Sequence, residues 1–314
     1  MIFKKPLFWD YKKPNFLSNI LLPLTIPVII NNIFRKKKIR IQNNKIKTIC
    51  VGNIYLGGTG KTPTTITVYN ILKKISKNIS TAKKFYSEQK DEQIILQKKT
   101  DLIIANSRKE IINKAIKRNR KLVIFDDGLQ DSEIDYDLKF VCFNSNNFIG
   151  NGRLIPSGPL REKIQSLEKY DGVFLKDIKN KHKYILGKIK TINSKIKYFY
   201  TEYKILNLNK INKKKKYLVF SGIGNPTDFR SILIKNKIKI GKEIIFPDHY
   251  DYKINDIKKI KNLAKTLNLN ILTTEKDFVK LSHLDKKNIK YLALDLKIKN
   301  EKQFLNFIKS KLYE

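Results

Sequence analysis

A chain of 314 residues can bury a large core and is long enough for two domains. Its 66 Lys+Arg against 28 Asp+Glu give a net charge of +38, yet the basic residues are dispersed, with dense runs at 35–38 and 213–216, and no nucleic-acid recognition module accompanies them. The only cysteines, Cys50 and Cys142, sit inside apolar runs, which excludes a disulfide scaffold and a cysteine metal site.

The N-terminal stretch from Phe16 to Phe34 is strongly apolar and about as long as a membrane span, but Pro23, Pro27, Asn19, Asn31 and Asn32 interrupt it. Arg35-Lys-Lys-Lys38 follows directly. An apolar segment beside a basic cluster reads as an interfacial anchor on an anionic leaflet, against the alternative of a core helix. No small-residue cleavage site follows it, so a signal peptide is not expected.

The organising signal is the apolar run Ile49–Val51, the glycine cluster Gly57-Gly58-Thr59-Gly60, then Lys61 and Thr62, and a helical pattern from Thr64 to Ile75. Strand, glycine loop and helix form the context of a phosphate-binding loop. Backbone N–H groups curl around phosphate oxygens, Lys61 reaches the outer phosphates, and the Thr62 hydroxyl can ligate Mg²⁺. The strict pattern asks for glycine where Tyr55 stands, and a variant loop asks for lysine where Leu56 stands.

From Ile79 to Leu96 the pattern is irregular; Asp91 and Glu92 read by themselves as a solvated helix start. Leu102–Ala105 predicts a strand and Arg108–Arg118 a helix. Lys121 to Asp127 is an apolar β-run ending in Asp126 and Asp127, which delivers carboxylates to a C-terminal sheet edge where ligands bind and Mg²⁺ can be held. The expectation is that this acidic tip and Lys61 face one site. Strands at Leu138–Phe143 and Asp171–Leu175 flank a Gly/Pro-dense loop carrying Arg153, Arg161 and Glu162. From Ile189 to Ile211 the reading is β-like. Tyr217 opens a second strand–loop–helix unit, with strands at Glu243–Phe246, Ile271–Thr273 and Tyr291–Leu294 and helices at Thr227–Asn236 and Ile254–Leu267. His182 and His283 read as surface residues. His249 follows a strand at a C-terminal sheet edge, where a catalytic or orienting role and a structural one are both open.

These motifs, in this order, resemble the tetraacyldisaccharide 4'-kinases of lipid A biosynthesis: Val51-Gly-Asn-Ile, Gly57 through Pro63, Asp126-Asp-Gly-Leu-Gln130, Gly152 through Glu162, Gly222-Ile-Gly, Asp248-His249 and Thr274-Glu-Lys-Asp277. The resemblance implies transfer of the ATP γ-phosphate to the 4'-hydroxyl of a tetraacylated glucosamine disaccharide 1-phosphate, forming lipid IVA. It implies peripheral attachment to the cytoplasmic face of the inner membrane, with two α/β domains and the active site in a cleft; a monomer is expected. By position, Gly57, Gly58, Thr59, Gly60, Lys61, Thr62 and Arg161 would hold ATP, and Thr62, Asp126, Asp127 and Glu162 would serve Mg²⁺. Asp91 matches the carboxylate that takes the hydroxyl proton, and His249 its partner. The chain departs from the family at Lys83-Lys-Phe-Tyr86 and Lys90-Asp-Glu-Gln93, where a Ser-Arg-Gly-Tyr segment and a Gly-Asp-Glu-Pro are usual, and at Asp131, where histidine is common.

The expected fold is α/β: a P-loop-type, mostly parallel sheet domain with an apolar N-terminal helical segment (1–212), then a smaller α/β domain (213–314). The rival function is a membrane-associated P-loop ATPase switch. It would hydrolyse ATP without a lipid acceptor, and Leu56 argues against it. A nucleic-acid partner is not expected.

Overall fold

The computed structural model describes residues 5–37, 45–176 and 182–313. Lys38 of the basic run lies outside them, as does the side chain of His182; His283 is exposed, as expected. The chain opens with α1 (Phe16–Ile20) and α2 (Ile26–Lys37), followed by β1 (Lys47–Gly52), α3 (Lys61–Lys73), β2 (Ile79–Lys84), α4 (Lys90–Lys99), β3 (Leu102–Ala105) and α5 (Arg108–Lys117). Next come β4 (Leu122–Asp126), β5 (Leu138–Asn144), β6 (Gly172–Lys176), α6 (His182–Ile192) and β7 (Lys197–Ile205). The remainder is β8 (Lys216–Ser221), α7 (Pro226–Lys235), β9 (Lys239–Ile245), α8 (Ile254–Thr266), β10 (Asn270–Thr274), α9 (Glu275–Phe278), β11 (Ile289–Leu292), β12 (Leu294–Ile298) and α10 (Glu301–Leu312).

Two compact units result. The larger comprises Lys5–Phe85, Leu96–Glu202 and Leu296–Glu314; the smaller, Tyr86–Ile95 and Tyr203–Asp295. The division therefore differs from a single cut after residue 212. The C-terminal α10 belongs to the larger unit because Phe304, Ile308 and Leu312 bury against Phe140, Phe174 and Phe199. The Phe199 and Phe304 rings meet edge-on at 5.1 Å. The segment carrying Asp91 belongs to the smaller unit.

The larger sheet runs β12-β7-β6-β5-β1-β4-β2-β3. From β7 to β3 every printed pairing is parallel. A parallel sheet needs both faces covered, and its strands alternate between two cores. On β4, Val123 and Phe125 enter the core shared with α5 and α6, while Leu122 and Ile124 enter the one shared with α3 and α10. β1 lies between β4 and β5, so the chain changes sides of β1 between those strands. That switch point is where an open α/β sheet leaves a crevice at its carboxyl edge. The smaller sheet, β11-β10-β8-β9, is also parallel, with one core against α7 and another against α8.

No helix among the described residues is long and apolar enough to cross a membrane. The N-terminal segment instead docks by polar bonds onto the loop at 150–161. Trp9 Nε1 donates to the Pro156 carbonyl at 2.9 Å, Ser18 Oγ to the Ser157 carbonyl at 2.6 Å, and Asn32 Nδ2 to the Arg161 carbonyl at 3.0 Å. Ile29 of α2 packs on the larger core. Trp9 is buried, whereas most apolar side chains from Phe16 to Phe34 face outward: Phe16 is 76% exposed, Leu24 58% and Phe34 64%.

Gly150 makes this docking possible. It sits at φ +56°, and a Cβ there would lie 2.0 Å from the Trp9 carbonyl oxygen. Gly150→Ala is expected to cost about 1–3 kcal/mol from backbone strain alone and to release the N-terminal segment. Denaturant unfolding and limited proteolysis near Trp9 measure both effects. Gly187→Ala is the control, because its added methyl meets nothing within 4 Å.

Candidate active site

The loop after β1 is a cradle built on glycine. Gly57 lies at φ 133° and Gly60 at φ 87°, conformations that L side chains rarely adopt. Gly60 is the N-cap of α3, so the helix begins at Lys61, earlier than the apolar pattern predicted, and its first N–H groups point at the loop. Asn53 braces the cradle from beneath, donating from Nδ2 to Thr59 Oγ1 at 2.9 Å and to the Gly57 carbonyl at 3.3 Å. Leu56 N donates to the Pro159 carbonyl at 2.8 Å, which ties the cradle to the loop at 150–161.

β4 pairs with β1 in a register that sets Asp126 opposite Val51, so the acidic tip arrives beside the cradle. Asp126 is fully buried. Its Oδ2 accepts from Thr62 Oγ1 at 2.9 Å and from Lys83 Nζ at 2.9 Å; its Oδ1 accepts from Thr65 Oγ1 at 3.1 Å. Asp127 is partly open, with Oδ2 3.4 Å from Lys61 Nζ and Oδ1 3.1 Å from Arg161 Nη1. The sequence-predicted meeting of Lys61 with the acidic tip is thus present. Asp127 holds φ +58°, a left-handed conformation uncommon for a residue with a side chain. Buried Arg108 secures it by donating to the Asp127 carbonyl at 2.8 Å while pairing with Asp131. Asp131, a departure from the family pattern, therefore acts as the partner of Arg108.

The cradle's oxygen donors suit a hard cation. The Thr62 hydroxyl and the Asp126 carboxylate lie side by side, with Asp127 next in the chain, and Mg²⁺ is commonly held by one or two carboxylates together with phosphates. Among the described residues no group of three or more His, Cys, Asp or Glu could hold a metal by itself. Glu162 accepts two hydrogen bonds: Gln130 Nε2 donates to its Oε1 at 2.9 Å, and Tyr170 OH at 3.2 Å. Gln130 in turn accepts from Arg161 Nη1 at 3.2 Å, which links the Arg161 and Glu162 side chains.

In the smaller unit, Asp91 lies in the first turn of α4 with its side chain 2% exposed, contrary to the solvated helix start its local sequence suggested. Its Oδ1 faces His249 Nδ1 at 3.0 Å and accepts from the Glu92 backbone N–H at 2.8 Å. Among the described residues its Oδ2 accepts no hydrogen bond; Lys276 Nζ stands 3.6 Å away and Lys280 Nζ 4.0 Å. Burial alone would raise the Asp91 carboxyl, but the His249 hydrogen bond and the Lys276 charge hold it below the ordinary value. His249, like Asp127, sits at φ +58°.

Sequence reasoning passed over Lys83, Arg108 and Lys280. Lys83 falls in a stretch read as irregular, although it lies in β2 with its side chain 1% exposed. Lys276 lies in the Thr274-Glu-Lys-Asp277 motif, whose sequence alone assigns it no role.

A parallel α/β sheet with a glycine cradle, a cradle lysine and threonine, and an acidic tip on the neighbouring strand defines a P-loop-type nucleotide enzyme. A family model described as tetraacyldisaccharide-1-P 4'-kinase matches residues 19–82 and 74–313. A tetraacyldisaccharide 4'-kinase of Pelagibacter ubique is 47% identical over 307 residues, 98% of this chain and 97% of the relative. One from Rickettsia akari is 33% identical over 321 residues, 94% of this chain and 93% of the relative. The fold matches that of LpxK from Aquifex aeolicus crystallised with ATP, at a TM-score of 0.69 and 21% identity, covering 95% of this chain and 100% of the other. The chain belongs to the tetraacyldisaccharide-1-P 4'-kinase family and is an ATP-dependent kinase of lipid A biosynthesis.

Lys83→Met would leave the Asp126 carboxylate buried without its cation. Breaking a buried ion pair from one side costs about 3–5 kcal/mol, so a large drop in the urea midpoint is expected. A midpoint unchanged from wild type would show that the pair contributes nothing.

Proposed function

We propose that this chain transfers the γ-phosphoryl group of ATP to the 4'-hydroxyl of a tetraacylated glucosamine disaccharide 1-phosphate, giving lipid IVA, with the roles assigned below. The observation that carries this assignment is the placement of Lys61 at the end of the glycine cradle, 3.4 Å from Asp127. Gly57 to Thr62 would hold the triphosphate through backbone N–H groups, with Lys61 on the β- and γ-phosphates. Thr62, Asp126 and Asp127 would hold Mg²⁺, which supplies charge neutralisation on the transferring group. Arg161, positioned by Gln130, would add positive charge at the same place. Glu162, which accepts from Gln130, would orient that arginine and lend its carboxylate to the Mg²⁺ site.

The acceptor oxygen forms a bond to the γ-phosphorus as the bond to the ADP oxygen breaks. The hydroxyl proton goes to Asp91. Its Oδ1 is already engaged by His249 and the Glu92 N–H, leaving Oδ2 as the receiving atom. A carboxylate at hydrogen-bond reach can take such a proton as its alcohol becomes acidic late in the transfer.

An acylated substrate explains the N-terminal segment. Outward-facing Phe16, Leu24 and Phe34 on helices too short to span support peripheral membrane binding, which for this substrate would be at the cytoplasmic face of the inner membrane. A cavity of about 590 Å³ lies beside α2, where Ile29, Ile33 and Leu154 offer an apolar wall to an acyl chain, and its basic and acidic side chains, Arg35 and Glu162 among them, offer a polar one.

The test is a [γ-³²P]ATP assay with the disaccharide acceptor. Lys61→Ala and Asp91→Ala are each expected to lower kcat by about 100-fold. Acceptor-free ATP hydrolysis without labelled lipid would overturn the kinase reading; full kcat in Asp91→Ala would remove the base. Separately, Phe16→Ser with Leu24→Ser should lower co-sedimentation with anionic vesicles while leaving the fold intact by circular dichroism. Undiminished binding would contradict the anchor.

A further inference from the structure

The roles above leave Lys276 unused, although it faces every polar group of the Asp91 cluster. We infer that Lys276 fixes the single imidazole proton of His249 on Nδ1, making His249 a one-directional donor to Asp91. The inference rests on Asp91 being the base and concerns how its partner is set.

The geometry comes from three elements. From α4, the Asp91 carboxylate lies 3.0 Å from His249 Nδ1. From α9, the Lys276 ammonium lies 3.4 Å from His249 Nε2. An ionised carboxylate only accepts, so the nitrogen facing it carries hydrogen; an ammonium only donates, so the nitrogen facing it presents its lone pair. Both neighbours select the same neutral tautomer. A second proton, on Nε2, would point an N–H at an ammonium.

The opposing groups are Glu92 Oε1 and Asp248 Oδ1, each 3.9 Å from Nε2. Either would welcome a proton there. Lys276 meets both of them as well, at 3.3 Å and 3.4 Å, and stands 3.6 Å from Asp91 Oδ2. One cation thus quenches three carboxylates that would otherwise draw a second proton onto the ring. These carboxylates outweigh burial and hold the Lys276 ammonium well above its ordinary value, so it stays charged. The remaining charges belong to Lys280, 4.0 Å from Asp91 Oδ2, and fully buried Asp277, which Lys280 meets at 2.9 Å.

The position of Lys276 is not left to a flexible surface helix. Asp277, next in the chain, takes hydrogen bonds from Gly222 N at 3.0 Å, Thr274 Oγ1 at 2.7 Å and Tyr252 OH at 2.9 Å. The Thr274-Glu-Lys-Asp277 segment is therefore an anchored mount: threonine and aspartate pin the helix start, and lysine projects to the histidine. The arrangement also fixes the direction of proton flow. His249 stabilises Asp91 as a carboxylate and has no acceptor nitrogen turned toward it, so the proton Asp91 receives is not passed to the ring.

The experiment is ¹⁵N NMR of the full chain labelled at histidine. With 3 histidines in the sequence, His249→Gln assigns the signal by its loss. Wild type at pH 7 is expected to give a neutral ring with the proton on Nδ1. Lys276→Met should abolish that signature, with Nε2 taking up a proton, and Lys276→Arg should keep it. A wild-type proton on Nε2, or an unaltered tautomer in Lys276→Met, overturns the inference. The wild-type spectrum decides this even if the variant misfolds. A wild-type Nδ1–H signature beside an Asp91→Asn enzyme of full kcat would refute the base while leaving the tautomer assignment standing.

Discussion

The parallel pairing of β1 with β4 is the constraint from which the larger unit's chemistry follows. Because Asp126 falls opposite Val51, the strand that ends in carboxylates stops level with the strand that ends in the glycine cradle. Lys61 and Thr62 then meet Asp127 and Asp126 without any long-range adjustment. A one-residue slip would exchange the two sheet faces of β4, burying Asp127 and turning Asp126 away. Both faces of β4 are apolar, so what such a slip would break are the buried bonds of Asp126 to Thr62, Thr65 and Lys83, and register and phosphate chemistry depend on the same carboxylate.

The charges around this tip are arranged in depth. Lys83 neutralises Asp126 inside the protein, while Lys61 and Arg161 neutralise Asp127 at the surface. In the smaller unit a similar economy applies: Lys276 stands among Asp91, Glu92 and Asp248. Both sites place a residue with a side chain in the left-handed region, Asp127 and His249. Each such residue stores about 1–3 kcal/mol of strain that the surrounding structure must outweigh.

Much of this was legible in the residues. β1, β4 and the cradle announced themselves because buried parallel strands are continuous apolar runs, and glycine clusters mark loops that must take positive φ. α4 and Asp91 were not legible. Ile94, Ile95 and Leu96 are bunched rather than spaced at helical intervals, and the partner that buries Asp91 lies 158 positions away. Lys83 was hidden because a lysine in a strand ordinarily points to water, and only the fold reveals Asp126 beside it. α10 escaped because its apolar spacing alone does not say which sheet it covers, so the expected boundary after 212 swept it into the wrong unit.

The loop at 150–161 grips two things at once. Its carbonyls receive Trp9 and Ser18 on one side, and Pro159 receives the backbone of Leu56 on the other. Only a few peptide units separate the residues that receive the N-terminal segment from the one that receives the nucleotide loop. A sideways pull on the exposed apolar side chains of that segment has a short lever arm to the place where triphosphate would rest, so the two cannot drift independently.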